Sequence, residues 1–268
     1  MRKFLCSTLF VTLSALIGTS AAAPAASATP PATSFAEAPT YAFLSLIGDQ
    51  LDIIVSRQQI GTLLDKNSRE PPLLIQDPVF DNVAATVAGE AVRKVIPRAE
   101  LAILNSRSPV PFEKYYELFA EKGDVIAIPD AIRTALKNEK ANYLVLITKY
   151  RHEAKFNFSN AIDWGGMLEG LGFYLDGATG TKRGDTGEYG RGYIAPFAYM
   201  KITLVDAQTS KILGKQTIMA STTIASARAQ ENLASPWAAL SSAEKVSAIN
   251  RLIQREIGRA MPLLLKKD

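Results

Sequence analysis

The chain has 268 residues, a formal charge of +4, one cysteine and one histidine. This inventory excludes an internal disulfide and leaves a zinc site without the several thiolate or imidazole ligands it needs. A pI near 9.0 suits an anionic partner, but the densest basic pairs are only Lys182-Arg183 and Lys266-Lys267, and no interleaved basic and aromatic platform for nucleic acid is present.

Residues 1–28 read as a secretory signal peptide. Arg2 and Lys3 precede an apolar run from Phe4 to Ile17, and small residues offer cleavage points after Ala22 and after Ala28. Cys6 sits at the front of the apolar run, not behind it where a lipidated cysteine belongs. The expectation is a periplasmic protein without a lipid anchor. No later apolar stretch reaches the ~20 residues of a membrane-spanning helix. Residues 29–40 are rich in Ala, Pro, Ser and Thr, a flexible leader by composition. The folded domain is expected over 41–268.

Tyr41 to Val55 holds two apolar runs split by Gly48-Asp49, which reads as a tight hairpin. Gln59 to Leu64 reads as a third strand and Asp65 to Pro72 as a loop. From Asp77 to Ile96, Phe80, Val83, Ala84, Val87, Ala88, Ala91, Val92 and Val95 recur at three and four. That spacing gives a helix with one apolar face, stopped by Pro97. Glu100 to Leu104 follows as a short buried strand, Phe112 to Ala120 as an aromatic-rich helix, and Val125 to Ile128 as a brief strand.

Pro129-Asp130 opens a helix to Asn138, with Pro and an acid placed where a helix start favours them. It feeds the central stretch Asn142 to Phe158. Tyr143 to Ile147 is continuously apolar, the mark of a strand covered on both faces, and alternation sets in beyond Thr148. Ten of the seventeen glycines fall between Asn157 and Pro196, among Trp164, Phe173, Tyr174, Tyr189 and Tyr193. A segment so long without periodicity is commonly functional, and Leu171 to Leu175 favours a long irregular hairpin. A hairpin follows from Phe197 to Ala220, turning at Asp206 to Ser210. The last helix runs from Ala243 to about Leu264, with Ser241 and Glu244 spaced as a capping box. Helix before buried strand occurs twice, so the fold class is α/β: one domain, a mixed sheet with helices packed on it, and a Gly- and aromatic-rich insertion at 157–196.

Two motifs carry a resemblance. Ala141-Asn142-Tyr143-Leu144-Val145-Leu146 after a helix, and later Asp206-Ala207-Gln208-Thr209-Ser210 within a hairpin, resemble the anticodon-binding-like α/β domains of the exported TolB N-terminal region and of the curli secretion channel family. The resemblance covers about residues 78 to 221 and implies a role in envelope assembly or partner binding, without catalysis. Asn142 stands where that family has an acid and Ser210 where it has a turn glycine.

Candidate chemistry is sparse. His152 lacks a G-x-S-x-G elbow to serve and reads as a structural or solvent-exposed side chain. Ser242-x-x-Lys245 coincides with a helix start, where serine caps. Asp49 and Asp52 flank the first turn. No cofactor or metal is expected. The binding residues proposed from composition are Trp164, Phe173, Tyr174, Arg183, Tyr189 and Arg191, facing a protein or glycan partner. The competing reading of Trp164, Phe173 and Tyr174 is a cover over one end of the sheet. The alternative function is a hydrolase of an envelope polymer using Asp163, Glu169 or Asp176, and a third reading is self-assembly through sheet edges or the insertion.

Overall fold

The computed structural model describes residues 38–48, 50–56, 67–75, 77–105, 114, 117–157, 162–182, 187, 189–225 and 236–266. The strands are β1 (Thr40–Leu46), β2 (Gln50–Ser56), β3 (Asn67–Leu74), β4 (Glu100–Leu104), β5 (Glu121–Lys122), β6 (Val125–Ile126), β7 (Tyr143–Lys149), β8 (Arg151–Asn157), β9 (Ile162–Lys182), β10 (Tyr189–Asp206), β11 (Ile212–Ser221) and β12 (Ile224–Ala225). The α-helices among the described residues are α1 (Val79–Val95), α2 (Asp130–Asn138) and α3 (Ser242–Leu265). The expected strand at Gln59–Leu64 lies outside the described residues, as do residues 112, 113, 115 and 116 of the expected helix at Phe112–Ala120, whose described residues 114, 117 and 118 are helical.

The strands form one mixed sheet in the order β3-β2-β9-β10-β7-β1-β4, with β11 and β12 against the other edge of β10 and β8 against β9. β10 is the long member that joins two levels. Its C-terminal half pairs with β7, which pairs in parallel with β1, itself parallel to β4. Its N-terminal half pairs with β9, which pairs in parallel with β2. β1 and β2 therefore run in the same direction in different levels and do not form the hairpin expected at Gly48. They are two parts of one bent strand, interrupted at Ile47 and Gly48.

The interruption is held by a helix start. Asp81, in the first turn of α1, accepts hydrogen bonds from Ser45 Oγ at 2.6 Å, the Ile47 amide at 2.8 Å and the Gly48 amide at 3.2 Å. An acid there also suits the positive end of the helix. Residues 67–72 of the stretch expected as a loop, Asp65 to Pro72, belong to the edge strand β3 beside β2. Pro71 and Pro72 are compatible with it because the β2–β3 register shifts between Leu51 and Ile53, so the two prolines sit in a bulge of an edge strand.

Three apolar clusters surround the sheet. On one face, α1 and α3 cover Phe43, Val145, Ile147, Phe173, Met200 and Ile202. On the other, α2 and the β5–β6 region cover Leu44, Leu144, Leu146 and Val205. A third cluster on that second face joins Ala154, Phe156 and Leu168 of the β8–β9 ribbon to Tyr174, Tyr193, Phe197 and Tyr199. At α3, the Ser241 hydroxyl accepts from the Glu244 amide and the Glu244 carboxylate accepts from the Ser241 amide, completing the expected capping box.

The two motif positions that depart from the resembled family have local explanations. Asn142 Oδ1 accepts from the Thr40 amide at 2.7 Å, its own amide donates to the Thr40 carbonyl at 2.9 Å, and its carbonyl accepts from the Ala207 amide. It stitches β1, β7 and the β10–β11 turn together. Ser210 has φ +59°, the left-handed conformation that glycine adopts without cost. The turn is closed by Asp206, whose carboxyl lies below its usual range because the Thr209 amide and hydroxyl donate to it.

Candidate functional site

The glycine-rich segment is extended and supplies strands of the sheet. β9 changes partner at Gly170: residues 162–169 pair with β8, and 170–182 pair with β10. The change is possible because Gly170 has φ +64°, with the Lys149 side chain lying where a Cβ would point. Two residues on, a Cβ at Gly172 would stand 2.1 Å from the Asp52 carbonyl oxygen and 2.6 Å from the Phe197 ring. Glycine is required there for β2 and Phe197 to close on β9. The segment cannot be cut out of the sheet.

Of the six composition-based residues, the structure separates four into two groups. Phe173 and Tyr174 are buried, Phe173 edge-on to Trp237 and Tyr174 against Phe156 and Tyr193. They take the covering role that was the competing reading. Tyr189 is 82% exposed and Arg191 is exposed. Trp164 lies in β9 opposite Lys155, but its side chain, like the whole of Arg183, lies outside the described residues.

Tyr189 and Arg191 sit at the far end of a two-stranded arm. β2 accompanies β9 only over 172–175 and β12 accompanies β10 only at 193–194; beyond these, among the described residues, β9 and β10 pair with each other out to Tyr189 and Lys182. The arm is braced internally. Asp176 accepts from the Ala178 amide at 2.6 Å and the Thr179 amide at 2.8 Å, Thr181 donates to the Gly192 carbonyl at 3.1 Å, and Arg191 Nε donates to the Ala178 carbonyl at 3.4 Å. Asp176 thus accepts from its own following amides at the bulge where β9 and β10 shift register between Asp176 and Gly180.

A second polar feature lies where the ribbon leaves the sheet. Asp52 and Lys149 are buried. Arg69, inside the stretch expected as a loop, pairs with Asp52 at 3.0 Å and donates to the Met167 carbonyl at 3.2 Å, tying β2, β3 and the ribbon. Burial, with the Asp52 charge second, pushes the Glu169 carboxyl up to about 7 against the opposing pull of Arg69, Lys149 and Arg151. The sequence signal for this cluster was slight: its members lie on four strands, and Arg69 is masked by two prolines.

The other candidates resolve simply. His152 is exposed, stacks on Tyr150 and has Nδ1 3.0 Å from the Glu153 carbonyl. Lys245 Nζ donates to the Leu240 carbonyl at 2.5 Å and lies 4.0 Å above the Trp237 ring, so it braces the start of α3. Asp49 and the side chain of Asp163 lie outside the described residues. Among the described residues, no three His, Cys, Asp or Glu side chains form a metal-binding group, and no helix is long and apolar enough to cross a membrane.

No family model matches the chain, and no curated protein does. Solved structures give distant likenesses. A Xanthomonas campestris protein of family DUF330 has 7% identity over 82% of this chain and 80% of its own, with a TM-score of 0.35. A Helicobacter pylori homolog of the neuraminyllactose-binding hemagglutinin has 8% identity over 87% and 83%, with a TM-score of 0.36. A PelC dodecamer from Paraburkholderia phytofirmans has 11% identity over 84% and 91%, with a TM-score of 0.26. Likenesses at this level carry no ligand or assembly over to this chain.

Proposed function

We propose that the chain is an exported, non-enzymatic binding module of the cell envelope, contacting a protein or glycan partner through the 157–196 segment. The observation that supports this reading is the contrast along one hairpin: Tyr174 and Tyr193 are sealed into the core at its base, while Tyr189 stands 82% exposed at its far end. A rigidly based aromatic with a neighbouring arginine is the composition that dominates binding energy at interfaces. The leader sequence supports export. The test is affinity for an envelope fraction, measured with the folded Tyr189→Ala and Arg191→Ala proteins. Retained affinity in both would reject the arm as the contact.

A second reading rests on Glu169, whose carboxyl is pushed up to about 7 by burial and the nearby Asp52 charge, the range of a general acid, with Asp52 paired to Arg69 beside it. In this reading the chain cleaves an envelope polymer. Peptidoglycan or polysaccharide turnover that survives Glu169→Gln and Asp52→Asn would dismiss it.

A further inference from the structure

The sheet face that carries α2 and the ribbon is interrupted by a polar window. Across β7, β10 and β11 the paired rows run from apolar Leu144, Val205 and Ile212 to Leu146, Thr203 and Lys215, then Thr148, Lys201 and Thr217, and return to apolar with Tyr199 and Met219. Residues opposite each other, and residues two apart on one strand, share a face. Three hydroxyls and two ammonium groups therefore lie together between two hydrophobic clusters.

The window is partly sealed. Thr148 is 6% and Thr203 1% exposed. Among the described residues nothing hydrogen-bonds to Thr203 Oγ1, although it is shut away from solvent, a state that costs about 1–3 kcal/mol. Glu121 reaches in from β5, with Oε1 3.0 Å from Lys201 Nζ and Oε2 bonded to Lys215 Nζ. β5 and β6 form a hairpin of two-residue strands turning through Gly123 at φ +63°. Glu121 is thus a carboxylate on a small element, held by two lysines of the main sheet. A carboxylate accepts at about four lone-pair sites, and this window offers more donors than Glu121 engages.

We propose that this window is a carboxylate-recognition site for an acidic side chain of a partner protein, occupied in the free chain by Glu121 as an internal stand-in. The incoming carboxylate displaces Glu121, takes both lysines and gives Thr203 Oγ1 an acceptor. The site uses none of the arm residues, so it stands or falls separately from the function proposed above.

The test is an NMR titration of the full chain with a triglutamate peptide, and in parallel with inorganic phosphate. In Glu121→Gln protein the peptide gives saturable shifts centred on Lys201, Thr203, Lys215 and Thr217, with affinity about five-fold tighter than in the unsubstituted chain. Adding Lys201→Ala abolishes them. Thr203→Val, which keeps the volume and removes the unpaired hydroxyl, weakens binding while raising the melting temperature. Equal affinity with and without Glu121, shifts scattered over other lysines, unchanged peptide binding by the Thr203→Val protein, or phosphate bound as tightly as peptide would each overturn the proposal.

Discussion

The two levels of the sheet are built by opposite means. In the level of β4, β1, β7 and the C-terminal half of β10, apolar side chains fill one face and, around the Thr148–Lys201–Thr203 window, most of the other, and short polar residues fasten the ends: Asp81 at the strand interruption, Asn142 between β1 and the turn, Asp206 in the turn itself. In the level of β2, β9 and the N-terminal half of β10, glycines open the backbone and aromatic rings occupy the space. Phe197 closes over Gly172, and Phe156 of the ribbon packs tilted and edge-on against the stacked Tyr174 and Tyr193. The first design tolerates loss of volume poorly; the second tolerates gain of volume poorly.

Gly172→Ala tests the second design most severely. The added carbon would meet backbone and ring together, and we expect a loss of about 3 kcal/mol or more in denaturant unfolding. A melt like that of the unsubstituted chain would mean that β2 and β9 are not closed as described. Asp81→Ala tests the first design. It strips the acceptor from two amides and a hydroxyl, with an expected loss of about 2–4 kcal/mol and faster hydrogen exchange at Ile47 and Gly48.

Ser210→Gly works in the other direction. The left-handed backbone is already present, so glycine relieves strain and we expect a gain of about 1 kcal/mol. No gain would place the strain elsewhere in the turn.

The smallest effect concerns pH. Glu169 titrates near 7 when folded against 4.5 as its ordinary value. The folded state therefore holds this proton more tightly, and the contribution to stability is complete below 4.5 and fades as pH rises through 7. After solvent screening it is worth less than about 1 kcal/mol. Glu169→Gln should flatten that part of the stability-pH curve, and an unchanged slope would assign it to another group.

The same contrast decides what the sequence revealed. The level built from apolar side chains announces itself: the period of α1, the continuous run of β7, the capping box of α3 and the β10–β11 hairpin all have the expected places. The level built from glycine hides. Without side chains there is no alternation to read, so β9 and the first half of β10 look like an insertion although they lie inside the sheet. Two junctions mislead for local reasons. Gly48 suggests a hairpin because glycine favours turns, yet the chain continues forward once Asp81 satisfies the free amides. Pro71-Pro72 suggests a loop, yet a bulge in an edge strand accommodates both. Within the arm, composition alone does not separate Tyr174 from Tyr189, because burial depends on partners from β8 and β10 that only the folded chain brings together. The Lys201–Thr203–Lys215 window is legible only in register, since its lysines belong to opposite strands.

The most direct measurement is in-cell photo-crosslinking from a probe at Tyr189, with a second protein carrying the probe at exposed Leu263 of α3 for comparison. The account predicts a discrete protein or glycan adduct from position 189 that is absent from position 263. No adduct from 189, or the same adduct from both positions, would contradict the assignment of the arm as the binding surface.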